Sequence, residues 1–170
     1  MPLLVPQVPL RGLDTRALTE SLKEIGKCRV AIVRCLWNEV VVTALCNGCK
    51  SELEKHGADV EVFQVVGAFE LPFAARMAAE TGRFDAVVAI GVLFKGETLH
   101  FEYISQGTVH GLTELNLRGN VPVINGVLHC LTDAQALARA GLIDGENHGE
   151  GLALAALGQI AVKKAIMHKQ

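Results

Sequence analysis

Four short runs rich in Val, Ile and Ala constrain what this chain can fold into: CRVAIVR at 28–34, VEVFQVV at 60–66, FDAVVAIGVLF at 84–94 and VPVINGVLHCL at 121–131. Each has the length of a strand, and its near-continuous apolar character suits a strand covered on both faces. Segments with helical spacing separate them at 38–57, 69–82 and 100–119. Two further helices, 132–140 and about 150–167, close the chain. Asn38 and Thr132 stand where N-caps belong, Gly57 where a helix stops, and Pro72 in a first turn where its missing N–H costs nothing. Strands that alternate with helices in this way predict a parallel sheet with helices on both faces, wound by right-handed crossovers into a three-layer α/β/α sandwich.

Residues 1–27 read differently. Pro2, Pro6 and Pro9 keep the first ten residues extended, and Asp14 or Thr15 can cap a short helix through Ile25. The arm carries Leu3, Leu4, Val5, Val8 and Leu10. It either pairs with a sheet edge, its own or a neighbour's, or frays. Residues 28–170 form one domain. A net charge of −2 without a basic field argues against nucleic acid, and no apolar run is long enough to span a membrane. A secretory leader pattern is absent, and Asp14, Glu20 and Glu24 disfavour a transit peptide, so the expected location is cytoplasmic. Cys28, Cys35, Cys46, Cys49 and Cys130 are expected as free thiols. Cys46 and Cys49 form a CxxC, but inside a helical pattern and without a second ligand pair, so burial is preferred to zinc. His56, His110 and His129 lack metal spacing, and neither GxGxxG nor GxxxxGK[ST] occurs. No metal or cofactor is therefore expected.

In a parallel sheet the carboxyl ends of the strands converge on one rim, where open α/β sheets take their ligands. Each run here ends in something distinctive. The first ends near Trp37 and Asn38, the second at Gly67-Ala68-Phe69-Glu70, the third in GVLFKGETLHFEY at 91–103, and the fourth near Asn125 to Thr132. The third places backbone amides, the Thr98 hydroxyl and the His100 imidazole at a helix N-terminus, which suits an anion with a proton-transfer group beside it. Thr98 is a candidate N-cap, and exposed Glu97 can cap as well. Glu70 is either a carboxylate favoured by its helix dipole or an acceptor for ligand hydroxyls. Trp37 is either core or a flat stacking surface. Arg139 ends a helix and either meets its dipole or grips a phosphate. His148 lies in the glycine-flanked ENHGEG, expected as a flexible loop.

Taken together, GAFELPFAA (67–75), FDAVVAIGVLFKGETLHFEY (84–103), VPVINGVL (121–128) and ALARAG followed by NHG (137–149) resemble the lumazine synthase family of riboflavin biosynthesis. The resemblance covers residues 28 to about 167, and HFEYIS and NHG look most like fungal members. It implies a flavodoxin-like four-stranded parallel sheet. It also implies the condensation of 5-amino-6-(D-ribitylamino)uracil with 3,4-dihydroxy-2-butanone 4-phosphate to 6,7-dimethyl-8-ribityllumazine, with release of phosphate and water and without metal or cofactor. By resemblance Trp37 stacks on the pyrimidine, Asn38 supports that wall, and Ala68, Phe69 and Glu70 hold the ribityl chain. Val92, Leu93 and Phe94 line the ring pocket. The amides of Glu97 and Thr98 hold the phosphate with Arg139, His100 transfers protons, and His148 assists near the phosphate.

Two positions depart from the family pattern. Val66 stands where proline is usual, and Asn125 where phenylalanine is common on the pyrimidine wall. The resemblance further implies pentamers, in some members icosahedral shells, with active sites between neighbouring subunits and the N-terminal arm reaching the next one. Shell formers tend to carry a tight Gly-Thr-Lys-Ala-Gly-Asn-Lys-Gly loop, whereas LIDGE (142–146) fills that stretch here with one extra residue, so a free pentamer is expected. The competing reading is a paralogue without catalysis that binds flavin or lumazine or forms shells. A flavodoxin-like electron carrier is disfavoured, because Arg34 to Asn38 is not a phosphate loop.

Overall fold

A computed structural model describes Leu22 and residues 25–167. The N-terminal arm lies outside the described residues, as does most of the short helix expected before the first strand. Leu22 is helical and Ile25 is not. The elements are β1 (Arg29–Cys35), α1 (Glu39–Lys55), β2 (Asp59–Val65), a 3-10 turn (Ala68–Glu70) running into α2 (Leu71–Glu80), β3 (Ala86–Phe94), α3 (His100–Arg118), β4 (Val123–Cys130), α4 (Asp133–Arg139) and α5 (His148–Met167).

All strands are parallel, in the order β2-β1-β3-β4. Helices α1 and α5 pack together on one face, and α2 and α3 on the other. The result is the expected three-layer, flavodoxin-like sandwich. Its core is the pair of central strands: Val30, Ile32, Val33, Val87 and Ile90 are fully buried against Leu45 and Leu53 of α1, Leu71 of α2, Leu112 of α3, and Leu157 and Ile160 of α5. Burial of each such side chain contributes about 1.5–3 kcal/mol. Strand β2 corrects the expectation of four strands covered on both faces. It is a sheet edge, and Val62 and Phe63 remain exposed there.

Thr132 caps α4 as expected, its hydroxyl accepting from the Gln135 N–H. Gly57, with φ +81°, ends α1 in the left-handed region that glycine adopts freely. The chain leaves β1 towards β2 on one side and β3 towards β4 on the other. That reversal opens a crevice at the carboxyl ends of β1 and β3, the place where such sheets bind ligands.

Candidate functional site

The crevice begins with a loop fastened on both sides. The N–H groups of Leu36 and Trp37 donate to Val65 O (2.8 Å) and Val66 O (3.3 Å) at the end of β2. Asn38 does not cap α1 with its side chain as expected. It adopts φ 60°, ψ 45°, which turns the strand into the helix, and its Nδ2 donates across the crevice to Val92 O of β3 at 2.9 Å. Asparagine tolerates this left-handed backbone better than most residues. Just before the loop, the Arg34 side chain is only 8% exposed; it pairs with Glu39 and donates to Thr43 Oγ1 at 3.1 Å. Its guanidinium, with Thr43, holds the Glu39 carboxyl below the ordinary carboxylate range. Between these anchors Trp37 is 68% exposed. Its ring is therefore not part of the core of this chain.

The next wall is the turn after β2. Glu70 Oε2 accepts from the Gly67 N–H at 3.0 Å, which folds the turn back on itself. A Cβ on Gly67 would lie 3.1 Å from Glu70 Oε2 and 3.7 Å from Trp37 Cδ1. The space above Gly67 is thus bounded by a carboxylate on one side and an indole on the other. Ala68 is buried, and Phe69 is 58% exposed with its ring over Gly107 of α3.

Along β3, Val92 is buried, while Leu93 and Phe94 are half-buried at the strand end. Lys95 N–H donates to Cys130 O at 2.9 Å. Lys95 Nζ reaches Thr98 O (3.3 Å), pairs with Glu102 (2.6 Å) and lies 6.0 Å from the Phe101 ring centroid. The ammonium holds the Glu102 carboxyl below its ordinary range. Thr98 is not the N-cap of α3; Leu99 occupies that position. Thr98 Oγ1 instead accepts from the His100 N–H at 3.3 Å, a local side-chain turn that serves the same orphan donor from one residue further out. Glu97, Thr98 and His100 are exposed.

The remaining candidates form a separate group. Asn125 is not near the end of its strand. It is the third residue of β4, opposite Ala89, because the apolar run carries pairing on to Cys130. Its Oδ1 accepts from the Val127 N–H at 3.0 Å. His148 is not in a flexible loop but is the first residue of α5. Both line a cavity of about 890 Å³ with Glu146, Asn147 and Glu150, and no residue of the rim lines it. Arg139 ends α4, where its Nη1 donates to Gln135 O at 3.0 Å, so in the isolated chain it serves its own helix terminus. The structure brings Trp37, Asn38, Ala68, Phe69, Glu70, Val92 to Phe94, Glu97, Thr98 and His100 to one rim. It sets Asn125 and His148 on a different wall.

Two residues with positioning roles escaped the sequence reading. Arg34 showed only as a lone cation in an apolar run. Asn147 sat beside the more conspicuous His148; its Nδ2 donates to Ala44 O of α1 at 2.9 Å and its Oδ1 accepts from the Gly149 N–H at 2.8 Å. Gly48 leaves the room it occupies, since a Cβ there would come within 2.7 Å of the Asn147 amide.

Among the described residues no group of three or more His, Cys, Asp or Glu is placed to hold a metal. Cys46 and Cys49 are buried, and burial pushes the Cys49 thiol up to about 12. Cys35, beneath Gly91, is pushed up to about 12 by the same cause. His129 meets Ser105 Oγ at 3.0 Å, and desolvation holds its imidazole below the usual histidine range.

Fold and rim define an α/β protein built to bind a small molecule across a topological switch point, with an aromatic plane, a fixed carboxylate, and loop amides next to a histidine. Comparison with known proteins gives the family. The family model described as 6,7-dimethyl-8-ribityllumazine synthase matches residues 27–164. A protein of that name from Pyricularia oryzae is 37% identical, over 85% of this chain and 92% of its own length. One from Schizosaccharomyces pombe is 43% identical over 76% and 84%, and one from Mycolicibacterium vanbaalenii 41% identical over 90% of both. The chain belongs to the 6,7-dimethyl-8-ribityllumazine synthase family.

Proposed function

We infer that this chain is the transferase of its family: it condenses 5-amino-6-(D-ribitylamino)uracil with 3,4-dihydroxy-2-butanone 4-phosphate to 6,7-dimethyl-8-ribityllumazine, releasing phosphate and water. The observation that carries this reading is the family match across 27–164. The rim supports it residue by residue. Trp37 offers an exposed ring for the pyrimidine, and Asn38 fixes the loop that carries it. Glu70, held by Gly67, accepts from ribityl hydroxyls beside Ala68 and Phe69. Val92, Leu93 and Phe94 floor the ring pocket. The amides of Glu97 and Thr98 have no hydrogen-bond partner among the described residues, which suits them to the phosphate. His100, two residues further, moves protons during imine formation, phosphate loss and ring closure. That chemistry needs orientation and proton transfer rather than a strong nucleophile.

Asn125, Arg139 and His148 complete the pocket from a second copy of the chain. Exposed Trp37, Phe69, Leu99 and Tyr103 on the rim and the open cavity beside β4 support an assembly in which the rim of one copy meets the wall of the next. We assign a homopentamer, with Arg139 and His148 on the phosphate and Asn125 against the ring. The five buried free thiols accord with a cytoplasmic setting, and no helix among the described residues is long and apolar enough to cross a membrane.

The test is direct. Purified protein incubated with both substrates should form the lumazine well above the spontaneous rate. A rate equal to the background would overturn the assignment. A light-scattering mass far above five chains would overturn the free pentamer.

A further inference from the structure

Thr108 is the one buried polar side chain of α3, and it points out of its helix. It is fully buried, and its hydroxyl donates to Ala68 O at 3.2 Å, forty residues away in the turn after β2. A threonine inside a helix commonly bonds back to its own preceding turn; this one spends its donor on another element. The surface around it is shaped for the same turn. Gly107 leaves room for the Phe69 ring, which a Cβ would meet at 3.0 Å, and Gly111 leaves room for Pro72, which a Cβ would meet at 2.9 Å. Helix α3 therefore presents a groove of two glycines with one hydrogen-bond donor between them, and the Ala68–Glu70 turn and Pro72 at the start of α2 lie in it. The helix that seats the turn also carries His100 at its first position.

We propose that Thr108 is a positioning residue for the polyol-bearing substrate. This rests on the function proposed above and deepens it. Glu70 can accept from substrate hydroxyls only where its carboxylate is held. Gly67 N–H fixes one oxygen of that carboxylate from within the turn, and Thr108 fixes the turn itself relative to the helix of the proton-transfer histidine. Thr108 touches no substrate atom. It acts through the backbone of Ala68, and its effect falls on the ribityl end of the pocket rather than on the loop at Glu97 and Thr98.

The experiment is steady-state kinetics on Thr108→Val, which removes the hydroxyl and keeps the shape, beside Thr108→Ser, which keeps the hydroxyl. Loss of one neutral hydrogen bond should raise the KM for 5-amino-6-(D-ribitylamino)uracil roughly three- to tenfold. The KM for the butanone phosphate and kcat should stay within about twofold. Thr108→Ser should restore the KM, and 5,6-diaminouracil, which lacks the ribityl chain, should not distinguish the Val variant from the parent. If both substrates' KM values rise together, or Ser is as impaired as Val, the hydroxyl has only a structural role and the proposal fails. Should the Val variant not fold, Gly107→Ala disturbs the same turn from the other side through Phe69 and must show the same one-substrate effect. An inactive parent protein would overturn the proposed function instead, so the two failures are distinct.

Discussion

The rim at the ends of β1 to β3 and the wall along β4 and α5 divide the candidate residues between them, and they are built differently. On the rim, side chains hold backbone. Asn38 grips Val92 O, Glu70 grips Gly67 N–H, Thr98 takes the His100 N–H, and Arg34 with Glu39 braces the start of α1. The functional groups on those segments are left facing outward with their geometry already set. On the wall, backbone proximity is secured by α1 through Asn147, Gly48 and Gly149, and Asn125 is engaged with its own strand; Arg139, at the end of α4, is engaged with its own helix. The guanidinium of Arg139 gives one N–H to Gln135 O, which leaves its other N–H groups for an anion.

The largest expected effect tests whether rim and wall belong to one chain or two. His100→Ala should lower turnover roughly 10²-fold, and Arg139→Ala should act mainly on the phosphate substrate. Co-expressed in equal amounts and assayed below saturation, the two should recover activity. A site that takes its rim from one copy and its wall from the next is intact only when the first carries Arg139→Ala and the second His100→Ala. Random assembly makes that about a quarter of all sites. Recovery no better than the separate variants would place both halves in one chain and break the comparison.

A smaller effect separates the two kinds of anchoring by stability. A Cβ at Gly149 would collide with the Leu45 carbonyl oxygen and crowd the Cys49 N–H, both backbone atoms that cannot swing aside. Gly149→Ala should cost ~2–3 kcal/mol in urea unfolding. Asn38→Ala loses one hydrogen bond and places an ordinary residue in left-handed backbone, for about 1–2 kcal/mol. The distribution of function should run the other way: Asn38→Ala should weaken binding of the pyrimidine substrate through Trp37, and Gly149→Ala should spare it. Equal losses of pyrimidine affinity would show that the wall anchor also sets the rim.

How much of this was legible beforehand follows from the range of each interaction. The alternation of Val- and Ile-rich runs with helical periods is local, and it led to the sheet, the layers and the residues at the strand ends. Strand order is not local, so the exposure of Val62 and Phe63 on an edge strand could not be read from VEVFQVV. Asn38 stood at a cap position, but its partner, Val92 O, lies 54 residues away; Asn147 and Ala44 are 103 residues apart. The place of Asn125 in mid-strand turned on where β4 ends, and the apolar residues on both sides of it carry no mark of that.

The finest contrast is in pH, because among the described residues an ionised pair braces the base of the rim. Glu39 has a folded pKa below its unfolded one, held there by Arg34 and Thr43. Its contribution is therefore present above the unfolded carboxylate range and disappears as pH falls through the folded value. Glu39→Gln should be less stable than the parent at neutral pH, and the two denaturation midpoints should converge on acidification below about pH 4.5. Trp37 is the chain's only tryptophan, so its emission reports on the rim alone. The loosened pair should lower the anisotropy of that emission in Glu39→Gln at neutral pH, while the parent reaches the same value only in acid. Midpoints that stay equally separated from pH 7 to pH 3 would mean that the carboxylate braces nothing, and that Asn38 and the β2 carbonyls hold the Trp37 loop by themselves.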